Sequence, residues 1–524
     1  MEIKKRIYWC DSCQVPLLDT ECLKCGKKGK DLCAPSISPV FMQEIEYIKK
    51  YIDEDLHPIL EFGQLWVSPS SYTYYCQGIS VFKLSAKNTC VKISPKAKYL
   101  KPLNRTRKEF LEYLREANKD YIENIQYEAH NFIRNVVKTH DDKITLVSFS
   151  GGKDSTVISH LVTSAVNINI IHLFADTTIE KPDTYTYIND FQKQHPLTPF
   201  ITCKSELDFF KISEDISPPS RVLRWCCSTH KTSPLSKTID NISPNKKVLT
   251  FDGVRKYESS KRKNYPRISN ESKVTREIMA RPILEWTDSQ VWFYILFHDI
   301  PFNLAYEKGF RRVGCLYCPF GSTWTQRMIK EVYPDQANKW NSFLKKQSIK
   351  IKHPKSDVFV EHSWRVRAGG QGHPDFYKTM IESAPCALSN TAITYQLLSG
   401  DINLISQFLR PLGRQVIIHS NYFIIFDYKT NKLVANVEID HKDKTIRIDY
   451  LLTKYKRLFQ QRVEKQLRKL QSCIFCGSCA AKCPVNAIEI RPEGIFSVDE
   501  TKCISCLLCV KHKCIAVKSL HYRA

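Results

Sequence analysis

Ile144-Thr145-Leu146-Val147-Ser148-Phe149-Ser150-Gly151-Gly152-Lys153-Asp154-Ser155-Thr156-Val157-Ile158-Ser159-His160-Leu161 is the stretch on which the fold turns. Its first six residues, mostly apolar, read as a buried strand; a glycine turn follows, and then a helix. A strand, a glycine turn and a helix N-terminus make an anion cradle, because backbone N–H groups and the helix dipole converge there. Gly151 and Gly152 let the backbone approach phosphates, and Lys153 and Ser155 add side-chain contacts. Ser-Gly-Gly-Lys-Asp-Ser is not the Walker pattern, whose closing GK[ST] is missing.

Three further segments follow in order. Ile170-Ile171-His172-Leu173-Phe174-Ala175 is a second buried strand ending in Asp176, with Glu180 close behind, acids placed to meet a ribose or Mg²⁺. Phe251-Asp252-Gly253-Val254-Arg255 continues to Glu258-Ser259 and Arg262. Arg281-Pro282-Ile283-Leu284-Glu285-Trp286-Thr287 leads into Val291-Trp292. Together with the glycine turn, these resemble the PP-loop of the ATP-pyrophosphatase and PAPS reductase superfamily, its GxRxxES/R substrate segment and its RPI-x-x-W-T/S…V-W segment. The resemblance implies an α/β fold over residues 141–330, a Rossmann-like parallel sheet of the adenine-nucleotide alpha-hydrolase kind. It also implies a nucleotide and substrate site of Ser148, Ser150, Gly151, Gly152, Lys153, Asp154, Ser155, Asp176, Glu180, Gly253, Arg255, Glu258, Arg262 and Arg281. Catalysis would fall to Lys153, Asp154 and Asp176, and the arginines are natural partners for phosphate or sulfate.

Sixteen of the 21 cysteines fall into three metal-ligand sets. Cys10-x2-Cys13-x8-Cys22-x2-Cys25 has the two knuckles of a four-thiolate structural Zn²⁺ site, which would fold residues 1–35 as a zinc ribbon; iron of the rubredoxin kind is the alternative. Cys226-Cys227 and Cys315-x2-Cys318 sit inside the nucleotide domain. An adjacent pair plus a distant CxxC resembles the [4Fe–4S] site of assimilatory APS reductases, and a related set occurs in DNA-phosphorothioation enzymes; zinc is the alternative here. Last come Cys473-x2-Cys476-x2-Cys479-x3-Cys483-Pro484 and Cys503-x2-Cys506-x2-Cys509-x4-Cys514. This resembles the bacterial two-cluster ferredoxin, in which the fourth cysteine of each run serves the other cluster. One [4Fe–4S] cluster would then use Cys473, Cys476, Cys479 and Cys514, and the second Cys483, Cys503, Cys506 and Cys509. Three clusters would form a wire, with the ferredoxin domain of residues 471–524 feeding the site cluster.

The remaining chain divides on patterning. Residues 36–105 alternate in short runs as a small α/β or β domain, faintly similar to RNA-binding PUA modules. Residues 106–140 are an amphipathic helical linker with Phe110, Leu111, Leu114, Tyr121, Ile125 and Phe132 on one stripe. Residues 331–452 are a helical segment, with a flexible point at Gly369-Gly370-Gln371-Gly372, and then a β-meander. Residues 453–470 form a basic helix, seven Lys/Arg against one Glu from Thr453 to Lys469. At 524 residues the chain exceeds one core. Mean hydropathy of −0.33 and the lack of a long apolar run exclude a membrane span, and Met1–Cys13 has no secretory apolar region. Reduced thiols point to the cytoplasm. A net charge of +24 favours polyanions as partners, tRNA or DNA first.

Two reactions suit this pattern. The first is ATP-dependent sulfur transfer to a nucleic acid, with adenylation, pyrophosphate release and a sulfur donor. The intact Ser-Gly-Gly-Lys-Asp-Ser favours it, as does the lack of the reductases' C-terminal ECGxH, since the chain ends Leu520-His521-Tyr522-Arg523-Ala524. The second is reduction of PAPS or APS to sulfite, which the cluster cysteines and an attached electron supply favour; Cys203 or Cys386 would then replace the missing nucleophile. A non-catalytic iron–sulfur regulator of nucleic acid would need no such loop.

Overall fold

A computed structural model of the chain describes residues 6–84, 91–166, 170–244, 246–270, 274–387, 389–452, 455–512 and 514–521. Thr453, at the head of the expected basic helix, and the C-terminal Tyr522-Arg523-Ala524 lie outside them.

The centre is a six-stranded sheet in the order 200–204, 171–176, 145–148, 248–251, 277–280, 268–269. All its pairings are parallel except the last, where Ile268–Ser269 runs antiparallel. Parallel strands covered on both faces must be apolar throughout, and Thr145–Ser148 and Val248–Phe251 are nearly so. The order reverses between these two strands, whose neighbours in sequence lie on opposite sides. A crevice opens at such a switch point, beyond the carboxyl ends of the strands. The PP-loop and the 252–258 segment both emerge there.

Residues 8–31 pair as three short strands, and a five-stranded antiparallel sheet follows between Ser38 and Ile93. The helix Arg107–Thr139 begins on a capping box in which Thr106 and Glu109 satisfy each other's backbone N–H groups. It does more than link. Phe110, Leu114, Ile122, Ile133 and Val136 are buried in one apolar core with the N-terminal strands and the central sheet. Tyr121, Ile125 and Phe132 pack at its margin.

The expected meander is the middle of a larger antiparallel sheet. Glu382–Pro385 and Ala392–Gln396 add two strands to it, in the order 382–385, 392–396, 445–450, 433–440, 422–426, 414–419. The polar, proline-bearing Glu-Ser-Ala-Pro hid the first of them. The expected flexible point at 369–372 is a docking contact instead. Gly370 is buried, its N–H donates to the His521 carbonyl at 3.0 Å, and a Cβ there would lie 1.6 Å from the Leu520 carbonyl oxygen. Glycine is needed at this position because backbone meets backbone.

The basic stretch forms the helix Lys456–Ser472. Arg457 and Lys465 face solvent, whereas Arg468 donates to the Thr379 carbonyl and Lys469 is buried. The helix packs Phe459, Val463, Leu467 and Leu470 against the second sheet and the C-terminal cysteine domain.

Candidate active site

A cavity of about 790 Å³ lies at the switch point. Its floor is the PP-loop. Ser155 Oγ accepts from the Ser150 N–H at 3.1 Å and donates to the Gly152 carbonyl at 2.8 Å, which closes the turn. Gly253 passes so near that a Cβ there would sit 2.8 Å from the Asp154 backbone. Only glycine lets the two loops meet.

Four charged side chains form the wall. Lys153 Nζ lies 2.9 Å from Asp288 Oδ1 and 3.3 Å from Asp154 Oδ2. The Arg255 guanidinium lies 2.6 Å from Asp154 and 2.9 Å from Asp288. Burial opposes charging each of them, but the opposite charges outweigh it. Lys153 is therefore held protonated above its ordinary range, and Asp288 ionised well below its own. The helix N-terminus is also engaged, since the Lys153 N–H donates to the Tyr306 hydroxyl at 2.9 Å.

The N-terminal lobe roofs this wall. Ser38 Oγ donates to Asp288 Oδ2 at 2.7 Å, and the Ile37 N–H donates to Ser289 Oγ at 2.7 Å. Arg6, Cys33, Ser36, Arg311 and Arg312 complete the lining. Among the described residues, Cys33 is the one cysteine that lines the cavity. It is exposed and belongs to none of the three sets.

The structure separates the predicted site into two parts. Lys153, Asp154, Arg255 and Glu258 line the cavity, and Gly151, Gly152, Ser155 and Gly253 shape its floor. Ser148 ends the first strand, and Ser150 is exposed beside it. Arg262 instead pairs with Glu258, while Arg281 donates to the Pro266 carbonyl at 2.7 Å and lies 3.5 Å from Asp252. Burial pushes the Asp252 carboxyl up to about 6 despite Arg281.

Asp176 and Glu180, expected to meet a ribose or Mg²⁺, do not line the cavity, and Glu180 reaches the cysteine site. Their strand lies one place away from the switch point. Asp176 accepts from the Thr178 N–H at 2.7 Å and the Tyr185 hydroxyl at 2.8 Å. Glu180 Oε1 lies 3.4 Å from Cys315 Sγ, and Thr177 donates to that same sulfur at 3.4 Å.

Cys226 and Cys227 lie in a short helical turn that runs into a π-turn at Ser228–Thr232, a distortion frequent at functional sites. Loop 311–318 serves both parts, carrying Arg311 and Arg312 to the cavity and Cys315 and Cys318 to the cysteine site. Cations gather around these thiols. Arg224 Nη2 lies 3.6 Å from Cys227 Sγ, and Lys231 is held protonated above its usual range, chiefly by Cys315. Burial pushes the Cys315 thiol up to about 12, so its ionised form needs such cations or a metal. Tyr317, between Cys315 and Cys318, stacks on Trp340 with ring centroids 4.7 Å apart.

At the N-terminus, Cys10, Cys13, Cys22 and Cys25 place their sulfurs within 4.8 Å of one another, with Cys10 and Cys25 at 3.5 Å. Metal–sulfur bonds of about 2.3 Å in a tetrahedron give sulfur–sulfur distances of about 3.7 Å, so these thiols fit one metal ion. Among the described residues no other set converges so tightly.

Residues 144–320 match the phosphoadenosine phosphosulfate reductase domain, and residues 470–489 the 4Fe-4S binding domain. The chain joins a PAPS-reductase-family domain to an iron–sulfur domain. Two uncharacterized proteins of Methanocaldococcus jannaschii resemble it. One is 34% identical over 222 residues, 42% of this chain and 45% of the relative. The other is 35% identical over 199 residues, 38% and 47%. The chain thus spans about half the length of these two relatives. An adenosine 5'-phosphosulfate reductase of Halalkalibacterium halodurans is 26% identical over 220 residues, 42% of this chain and 89% of that enzyme. Solved structures with likeness include a PAPS reductase of Candida auris, at 15% identity and a TM-score of 0.30 over 41% of this chain and 98% of that one. A U34-tRNA thiolase of Methanococcus maripaludis with its [4Fe-4S] cluster has 13% identity and a TM-score of 0.27 over 50% and 86%. No helix among the described residues is long and apolar enough to cross a membrane.

Sequence reasoning missed Asp288, Ser38, Tyr306 and Cys33. Asp288 carried a signal, since Thr287 and Gln290 form a capping box that puts it in the first turn of a helix. The other three come from segments whose place over the cavity no local pattern announces.

Proposed function

We infer that the chain reduces an adenylyl sulfate, APS or PAPS, to sulfite with electrons from its own C-terminal domain. One observation carries this reading. Cys226 and Cys315 pack on the same apolar core as Cys476 and Cys514 of the first C-terminal set. Reducing equivalents would therefore arrive beside the loop that carries Arg311 and Arg312 into the nucleotide cavity. The APS reductase matched over 89% of its length supports the same substrate class. The engaged state of the loop also favours it, because Lys153 is held by two carboxylates and its N–H by Tyr306. A sulfonucleotide has no leaving pyrophosphate to seat there.

Cys33 is the thiol placed to react. Its thiolate would attack the sulfate sulfur, forming an S–S bond while the bridging S–O bond breaks and the nucleotide phosphate leaves with that electron pair. Two electrons would then cleave the S–S bond, returning the Cys33 thiolate and releasing sulfite. On this reading [4Fe–4S] clusters at the Cys226, Cys473 and Cys483 sets would supply those electrons one at a time, from a reduced one-electron carrier. Zn²⁺ at Cys10, Cys13, Cys22 and Cys25 would fold the lobe that presents Cys33.

Sulfur-labelled APS, given anaerobically without reductant, should release AMP and leave label on Cys33, and Cys33→Ala should abolish that label. Label on no cysteine, with pyrophosphate formed from ATP, would instead favour ATP-dependent sulfur transfer to tRNA or DNA. The intact Ser150–Ser155 loop and the net charge of +24 support that second reading.

A further inference from the structure

Lys469 is 5% exposed. Its position near the end of a basic helix suggested a solvated or phosphate-facing side chain, and the structure turns it inward. The ammonium lies 3.8 Å from Cys479 Sγ and donates to the Cys509 backbone carbonyl. Cys479 belongs to the first C-terminal cysteine set and Cys509 to the second, so one cation touches both.

No carboxylate among the described residues forms an ion pair with it. A buried ammonium without an anion costs several kcal/mol, enough to drive out its proton. The groups that Lys469 does meet are the Cys479 sulfur and the Cys509 carbonyl, one from each set. The charges that balance Lys469 are thus those of the two cysteine sets, which fits anionic clusters in both. His512, the neighbouring ring, is tied to the Ser478 hydroxyl at 2.8 Å.

The two sets are also placed in order. Cys476 and Cys514 of the first set face the apolar core that holds Cys226 and Cys315, whereas Cys483, Cys503 and Cys509 of the second set face the core of the second sheet, which Cys473 of the first set also touches. The geometry assigns Lys469 as the shared potential-setting cation of the two C-terminal clusters, standing between the set near the nucleotide domain and the set remote from it. A fixed positive charge favours the reduced, more negative state of each cluster. It therefore raises both reduction potentials and keeps them close, which suits one-electron passage in sequence. This role is independent of which nucleotide is the substrate.

Anaerobic redox titration of the full-length reconstituted protein, followed by EPR, tests it. Lys469→Met and Lys469→Gln remove the charge, and Gln retains a donor for the Cys509 carbonyl; Lys469→Arg keeps the charge. At the wild-type midpoint, the neutral variants should show at least a tenfold lower reduced-to-oxidised ratio for the C-terminal clusters, about 59 mV per one-electron couple. Lys469→Arg should stay within threefold of wild type, and the site cluster should not move. Either neutral variant with full iron content and unchanged midpoints would overturn the assignment. Should Lys469→Met fail to take up iron, Lys469→Gln decides alone.

Discussion

Buried cations are balanced in two different ways at the two ends of this molecule. At the nucleotide end, Lys153 and Arg255 face Asp154 and Asp288, so two positive charges meet two carboxylates that the chain supplies itself. At the cysteine end, Lys469 meets thiols, and Lys231 meets Cys315 before it meets Glu180. Carboxylates are ionised at neutral pH whatever is bound. Buried thiols such as Cys315 and Cys476 are pushed up out of the neutral range, and become anions when metal is present. The first arrangement is complete in the polypeptide; on the proposed reading, metal would complete the second.

The largest expected effect separates the ends directly. Stripping iron should expose the 223–232, 311–318 and 470–521 segments to hydrogen exchange, while helix Lys153–Ala165 keeps its protection. Equal loss at both ends would break the comparison. Removing a zinc ligand should act on a third region: Cys22→Ser should abolish zinc binding and make residues 6–35 protease-sensitive, with iron content unchanged. Metal-coupled folding of this kind is worth about 10 kcal/mol or more.

Asp288→Asn sharpens the contrast from the other side. It leaves Lys153 and Arg255 short of one anion and unties Ser38 from the helix, so calorimetry should show a loss of about 3–5 kcal/mol with iron and zinc unaltered.

A smaller effect follows from His172, which is buried beneath the PP-loop helix with Ser159 and pushed down to about 4. Its folded value lies below its unfolded one near 6.5, so stability is full above 6.5 and is lost as pH falls toward 4. The loss is at most about 3.4 kcal/mol at 1.36 per unit. His172→Asn should flatten the urea midpoint between pH 7 and 5.

The strand, glycine turn and helix at 144–161 were legible because each is set by adjacent residues. Cysteine spacing likewise announced ligand number. It could not say that the Cys10 set converges on one point while the others do not, since that depends on how distant loops pack. Asp288 and Lys153 lie 135 positions apart, and Lys469 reads as one more lysine in a basic run. Gly370 reads as flexible until the C-terminal helix is laid on it. Long-range pairing decided each of these, and periodicity carries no record of it.

The most direct test of the reductive reading is an anaerobic assay of the reconstituted full-length protein with a reduced one-electron donor, offering APS, PAPS and ATP in parallel. Sulfite should appear in equal amount with the released nucleotide from APS or PAPS, and ATP should yield no pyrophosphate. Pyrophosphate from ATP, with no sulfite from either sulfonucleotide, would contradict the account.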